Sequence, residues 1–77
     1  MMAQNPPPRF VLCINNKGYE DDLKLRTVYQ VVPDEAAEVS TYLRVIDETG
    51  EDYLYPAAYF VPIEVPQEAE PLFSLTA

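Results

Sequence analysis

The sequence predicts an all-β protein, a small barrel or sandwich of five short strands. Short apolar runs rich in β-branched and aromatic residues recur along the chain, and residues that favour turns follow each of them. Only one segment has a helical pattern, and it is long enough for at most about two turns. Closure into a barrel would also protect the edges of such apolar strands from aggregation.

The first strand is predicted at Phe10–Ile14, where FVLCI is a continuous apolar run suited to a buried strand. Residues 1–9 before it are polar and rich in proline, so we expect a disordered, proline-rich tail. Residues 15–22 follow the strand and form a loop around Gly18.

The second strand is predicted at Thr27–Val32, because TVYQVV combines β-branched residues with a tyrosine. Pro33 ends this strand. The segment 34–39 leaves two alternatives open, a short helix capped by Asp34 or a flexible loop. The third strand is predicted at Thr41–Asp47, where leucine and valine alternate with polar and larger residues.

A tight hairpin at Asp47–Gly50 follows, and its glycine is expected to take a positive φ. The fourth strand is predicted at Glu51–Tyr55, and Pro56 ends it because proline cannot donate to the ladder. Ala57–Tyr59 have room for one 3₁₀ turn. The last strand is predicted at Phe60–Ile63.

The folded domain is therefore predicted to span residues 10–65. The tail at 66–77 carries prolines and glutamates and has an apolar end, so we expect a mobile segment. The alternative is that this apolar end covers an exposed patch or acts as a short interaction motif. No apolar run is long enough to cross a membrane, and the N-terminus lacks the pattern of a secretory signal. We expect a cytoplasmic protein that does not bind membranes.

Composition argues against most catalytic and metal sites. The chain has no histidine, which removes histidine general-base catalysis and the usual transition-metal ligands. Its single cysteine, Cys13, allows neither an internal disulfide nor a cysteine-based zinc site, and it lies in an apolar run where burial is expected. The sequence therefore predicts a protein that is not an enzyme and has no cofactor.

The formal net charge of −8, from 13 acidic and 5 basic residues, constrains the partner. Such a field opposes nucleic-acid binding through phosphate neutralisation. It favours encounter with a basic protein surface, although acidity also serves solubility. The acidic clusters at 20–22, 47–48 and 51–52 lack the alternate spacing of calcium loops, so we expect solvated charges rather than a metal site.

The order of these elements resembles that of SH3 domains. In that family a long acidic loop follows the first strand, and a proline, a 3₁₀ turn and a tyrosine lead into the last one. Here Glu20–Leu23 resembles the end of the acidic loop, Thr49–Glu51 the distal hairpin and Pro56–Phe60 the closing motif. The resemblance spans Val11–Ile63 and implies a five-stranded SH3-like barrel with one 3₁₀ turn.

SH3 domains bind proline-rich peptides in a groove of aromatic side chains, and the resemblance places Pro56 and Tyr59 on that groove. The acidic loop would meet a basic side chain of the ligand through Glu20, Asp21 and Asp22. The implied partner is a protein with a basic or proline-containing segment.

Other positions depart from the family pattern. Cys13 and Asn15 stand where two groove aromatics are expected. The chain has no tryptophan, and Tyr42 lies nearest to its position. The six tyrosines have two interpretations: partly exposed core residues, or a partner-binding patch that includes Tyr42, Tyr59 and Tyr19.

The sequence thus predicts a protein–protein interaction module. Its expected binding residues are the aromatic, proline and acidic side chains of one face: Tyr42, Pro56, Tyr59, Tyr19, Glu20, Asp21 and Asp22. Two alternatives remain, an accessory structural subunit of a larger complex and an acidic mimic that occupies a nucleic-acid site on another protein. Pro6–Arg9 resembles an SH3 ligand; we expect a disordered lead-in, the alternative being that it docks on a neighbouring copy.

Overall fold

The structure, a computed structural model, describes residues 9–73 and contains one five-stranded antiparallel sheet. Its strands are β1 (Phe10–Cys13), β2 (Val28–Val32), β3 (Tyr42–Ile46), β4 (Asp52–Pro56) and β5 (Phe60–Ile63). Two short helices, α1 (Glu35–Val39) and α2 (Glu70–Phe73), and a 3₁₀ turn at Ala57–Tyr59 complete the fold. Each predicted strand is present, and no strand end differs from its predicted position by more than one residue.

The strands lie in the order β4-β3-β2-β1-β5. The first four therefore form a meander, and the 3₁₀ turn carries the chain from β4 across to the far side of β1. Within residues 9–73, β4 and β5 do not pair with each other, so the hydrogen-bonded sheet is open. The structure thus confirms the strands and the 3₁₀ turn, while the sheet has two free edges.

The segment after β2 is a helix rather than a flexible loop. Asp34 has an extended backbone, and its carboxylate accepts a hydrogen bond from the N–H of Ala37 at 3.0 Å. This is the N-cap interaction that satisfies an otherwise unpaired donor of the first turn. Ala37 is the buried residue of α1 and holds the helix against the sheet.

One face of the sheet forms the core. Alternating strand residues point into it, as the period of two requires. The core consists of Val11, Cys13, Leu23, Tyr29, Val31, Val45, Tyr55 and Phe60. Leu23 is the member that comes from a loop, and it is fully buried. Burial of each large apolar side chain contributes roughly 1.5–3 kcal/mol, so Leu23 ties its loop firmly to the sheet.

The opposite face of the sheet is partly covered by the C-terminal segment. Phe73 of α2 packs edge-on against Phe10, with the ring centroids 6.4 Å apart. Arg9 and Glu70 form an ion pair at 3.0 Å beside this contact. The predicted C-terminal tail therefore includes a short helix in its described part, residues 66–73. Residues 74–77 and the first eight residues of the N-terminal tail lie outside the described residues.

Candidate functional site

Two of the predicted binding tyrosines lie side by side. The loop between β1 and β2 folds back so that the ring of Tyr19 meets Tyr55 edge-on at 5.0 Å and lies 6.1 Å from the ring of Tyr59. The hydroxyl of Tyr59 donates to the backbone carbonyl of Lys17 at 2.8 Å. Tyr19 is 37% exposed. The sheet and the loop thus hold an aromatic pair, Tyr19 and Tyr59, in a fixed geometry at the surface.

The same loop is tied to the β3–β4 hairpin at its other end. The N–H of Glu48 donates to the carbonyl of Asp22 at 3.0 Å. The hydroxyl of Tyr29 donates to the Glu48 carboxylate at 2.5 Å and accepts from the N–H of Lys24 at 2.8 Å. These contacts, together with buried Leu23, keep the acidic part of the loop in place.

The predicted acidic residues follow Tyr19 directly in this loop. Glu20 and Asp21 are exposed, and Asp22 is half-buried. The Glu20 carboxylate accepts from the N–H of Gly18 at 3.2 Å, so this carboxylate stays close to its own loop. Two exposed carboxylates therefore follow Tyr19 directly in the chain.

The other two predicted residues, Tyr42 and Pro56, lie opposite each other in the β3–β4 register. Tyr42 is 40% exposed, and Pro56 is half-buried. Tyr42 also borders a shallow pocket of about 380 Å³ between α1 and the two strands. The pocket is lined by Asp34, Ala36, Ala37, Ser40, Tyr42, Arg44 and Leu54.

Arg44 fixes the geometry of this pocket. Its Nε atom donates to Asp34 at 2.8 Å, and its Nη1 atom donates to Asp52 at 3.2 Å. The hydrogen bond from Arg44 is the main cause that lowers the pKa of Asp34, and the same bond is the main cause that raises the pKa of Arg44. Arg44 therefore joins the cap of α1 to the start of β4.

The predicted residues fall into two pairs rather than one continuous groove. Within residues 9–73, no ring contact joins Tyr42 to Tyr19 or Tyr59. The link between the pairs is the backbone, since the 3₁₀ turn begins directly after Pro56 and the N–H of Ala57 donates to the carbonyl of Thr41 at 3.0 Å. The aromatic pair and the Tyr42–Pro56 pair are therefore held at opposite ends of one rigid turn.

The structure corrects the prediction for one acidic cluster, because Asp47, which was expected to be a solvated charge, is buried. Asp47 is the charged side chain that is buried within residues 9–73, and it accepts from the Tyr55 hydroxyl at 2.5 Å and from the N–H of Thr49 at 2.9 Å. Burial, followed by this hydrogen bond, raises the pKa of Tyr55. Aspartate at the start of a turn often accepts a hydrogen bond from the backbone N–H two residues later. The sequence Asp-Glu-Thr-Gly therefore indicated that the Asp47 side chain would bond to the backbone of its own turn.

Neither Cys13 nor the acidic side chains of the described residues form a metal-binding cluster. Cys13 is fully buried, as predicted; burial raises the pKa of its thiol, and Sγ lies 3.4 Å from the carbonyl oxygen of Asn15. Among residues 9–73, no three cysteine or carboxylate side chains are grouped so as to hold a metal ion. No helix in this part of the chain is long and apolar enough to cross a membrane.

Comparison of the chain with protein-family models, with curated proteins and with solved structures found no match. The features that stand out are the fixed aromatic pair Tyr19–Tyr59, the exposed carboxylates that follow Tyr19 in the loop, and the exposed Tyr42.

Proposed function

We propose that this chain is a non-enzymatic protein-interaction domain with an SH3-like architecture, and that it binds a basic segment of another protein. The proposed binding residues are the two pairs described above, Tyr19 with Tyr59 and Tyr42 with Pro56. The observation that carries the proposal is the Tyr19–Tyr59 pair, whose rings lie 6.1 Å apart, with the exposed carboxylates of Glu20 and Asp21 next to Tyr19 in the chain.

The order of elements supports the SH3-like architecture. A long acidic loop separates β1 from β2, a short segment containing α1 separates β2 from β3, and a tight hairpin joins β3 to β4. Pro56, the 3₁₀ turn and Tyr59 then lead into β5, which returns to pair with β1. This is the order in which the SH3 resemblance places the same elements.

The geometry of the aromatic pair suits it to binding. Tyr59 is held by its hydrogen bond to Lys17, and Tyr19 is held against buried Tyr55. Rings fixed in advance lose little side-chain entropy when a partner covers them. The exposed carboxylates of Glu20 and Asp21 would attract a basic segment, increase its association rate and disfavour an acidic one.

The test measures capture of a partner by variants of this face. Immobilised wild-type protein is incubated with lysate of the source organism, captured proteins are identified by mass spectrometry, and the strongest is purified for titration. We expect Tyr19→Ala and Tyr42→Ala each to weaken its binding by about tenfold or more, since central aromatic residues dominate interface energetics. Leu72→Ala, at an apolar side chain that is 79% exposed on α2, serves as the control and should bind like the wild type.

Circular dichroism establishes that each variant remains folded before binding is compared. Binding that both tyrosine variants leave unchanged would overturn the proposal. Raising the salt concentration should weaken binding moderately, because a basic segment meets exposed carboxylates. A salt-insensitive interface would instead favour a structural subunit, and a very steep salt dependence without any effect of the tyrosines would favour a nucleic-acid mimic.

A further inference from the structure

The edge strand β4 has backbone groups that point away from the sheet. At one end of the β3–β4 ladder the N–H of Asp47 donates to the carbonyl of Glu51 at 3.0 Å. At the other end the N–H of Ala57 donates to the carbonyl of Thr41 at 3.0 Å. All four residues have odd numbers, and the direction of backbone groups alternates along a strand. The odd-numbered residues of β4 therefore point to β3.

The even-numbered residues of β4, Asp52, Leu54 and Pro56, direct their backbone groups outward. Pro56 has no N–H, so the outward donors are those of Asp52 and Leu54. In residues 9–73, β4 pairs with no strand other than β3, and neither of these donors makes a turn or loop hydrogen bond. Their side chains are exposed, Leu54 by 43%. An edge of this kind is a template for another strand.

The charge around this edge favours a basic occupant. Glu51 and Asp52 are exposed at the start of β4, and the Glu51 carboxylate accepts from the Tyr53 hydroxyl at 2.9 Å. Arg44 of the neighbouring strand is already bonded to Asp34 and Asp52. A second copy of this chain, with its own net charge of −8, would be repelled from the same position.

The side chains of β4 indicate the pattern of the occupant. Leu54 lies on the outer face beside the shallow pocket that Tyr42 borders. Tyr53 lies on the other face, with the Glu51 carboxylate bonded to its hydroxyl. An added strand would place alternate side chains about 5 Å from these residues. Apolar side chains would therefore meet Leu54, and lysine or arginine side chains would meet the carboxylates near Tyr53.

We propose that β4 is a docking edge for an extended segment of another protein in which apolar and basic residues alternate. The segment adds as a further strand beside β4, accepts hydrogen bonds from the N–H groups of Asp52 and Leu54, and donates to their carbonyl groups. This contact uses main-chain groups and is independent of the Tyr19–Tyr59 pair. The edge and the proposed aromatic face therefore succeed or fail separately.

The test uses a short peptide of alternating lysine and valine, slightly longer than the 5 residues of β4, added to the full-length, isotope-labelled protein. The comparison probe has the same sequence and charge, with methyl groups on the backbone nitrogens that would face β4. We expect the unmodified peptide to shift the amide signals of Asp52 and Leu54 and to slow their hydrogen exchange. The methylated peptide should bind at least about tenfold more weakly, because it lacks the donors.

Two variants complete the test. Leu54→Pro removes an outward donor without removing a hydrogen bond to β3. It should weaken binding of the unmodified peptide by a similar factor. In Tyr19→Ala the peptide should still shift the amide signals of Asp52 and Leu54, which separates the edge from the aromatic face. Should Leu54→Pro fail to fold, the two peptides still decide the question on the unaltered protein.

The proposal is overturned if both peptides bind equally, since charge alone would then explain binding. It is also overturned if neither peptide binds, or if the shifted signals lie in the loop around Tyr19 rather than in β4. Self-association of the protein through β4 in the absence of peptide would also overturn the proposal, because the strand that docks on β4 would then come from a second copy of the chain.

Discussion

The two edge strands of the sheet, β4 and β5, differ in the donors that they leave for a partner. On β5 the N–H of Ile14 donates to the carbonyl of Tyr59 at 2.8 Å, so the odd-numbered residues face β1. The outward residues are Phe60 and Pro62. The N–H of Phe60 donates to the carbonyl of Ala57, and Pro62 has no backbone N–H. In the part of the chain that the structure describes, the outer edge of β5 therefore presents no free donor, whereas that of β4 presents two.

This difference depends on where proline falls in the alternation of the strand. Pro56 and Pro62 both occupy outward positions, where the missing N–H costs no ladder bond. On β5 one outward position is a proline without an N–H, and the N–H at the other outward position is bonded to the 3₁₀ turn. On β4 the proline stands at the last position, so the donors before it remain. Protein edges are commonly protected by proline or charge, and ahead of Pro56 the edge of β4 carries the exposed acidic residues Glu51 and Asp52.

The largest expected effect comes from moving proline by one position on β4. Tyr53→Pro removes a donor that faces β3 and leaves the carbonyl of Val45 without its partner, so we expect a loss of about 3 kcal/mol or more in unfolding free energy. Leu54→Pro removes an outward donor and should cost less than about 1 kcal/mol. Urea unfolding followed by circular dichroism measures both.

The total stability expected for a domain of this size is roughly 3–5 kcal/mol, so Tyr53→Pro should be largely unfolded while Leu54→Pro remains folded. A matched control is Tyr53→Ala, which removes the side chain and keeps the donor. Equal destabilisation by the two proline variants would contradict the register, in which the N–H of Tyr53 bonds to β3 and the N–H of Leu54 points outward.

Alkaline pH should loosen the β4 side of the sheet before the β5 side. Burial, then a hydrogen bond to a carboxylate, raises the pKa of Tyr29 and of Tyr55 above the ordinary tyrosine value. Both carboxylates, Glu48 and Asp47, lie in the hairpin that starts β4. Tyrosine in the unfolded chain ionises near pH 10. The stabilisation is therefore complete below about pH 10 and is lost as the pH rises above it, because the unfolded chain loses its protons first.

Each of these tyrosines contributes a slope of at most about 1.4 kcal/mol per pH unit in that range. Urea unfolding between about pH 8 and pH 12 measures the slope. Tyr55→Phe should reduce it without abolishing it, because Tyr29 and the buried Cys13 thiol, whose pKa burial also raises, still contribute. Amide exchange should rise first in β4. A stability that stays constant above pH 10 in the wild-type protein would contradict the role assigned to these hydroxyls.

The strands and the 3₁₀ turn were predictable because their signals are local. Gly50 has a φ of 84°, as its turn position predicted, and Asp34 caps α1 with the side chain that the sequence offered. The helix α2 was not predicted, because its contact is the packing of Phe73 on Phe10, which are far apart in the chain. Local patterns cannot reveal such a contact.

The candidate site was predictable in its parts and not in its arrangement. The aromatic pair depends on the path of the β1–β2 loop, and that path is fixed by Leu23 in the core and by the bond from Glu48 to Asp22. Neither anchor has a periodic signal. Likewise, the open edge at Leu54 became visible only from the register of β3 and β4, since a shift of one residue would exchange inward and outward donors.

The smallest expected effect comes from Pro62→Thr, which makes the two edges more alike. The substitution adds an outward donor to β5 and removes no ladder bond, so unfolding free energy should fall by less than about 1 kcal/mol, mainly because the unfolded chain gains freedom. The new amide at position 62 should exchange with solvent about as fast as that of Leu54, while the amide of Val61, which faces β1, stays protected. Hydrogen exchange followed by NMR measures all three amides in one sample. Protection at position 62 comparable to that of Val61 would mean that something other than proline covers the β5 edge, and the contrast between the two edges would then no longer rest on where proline falls.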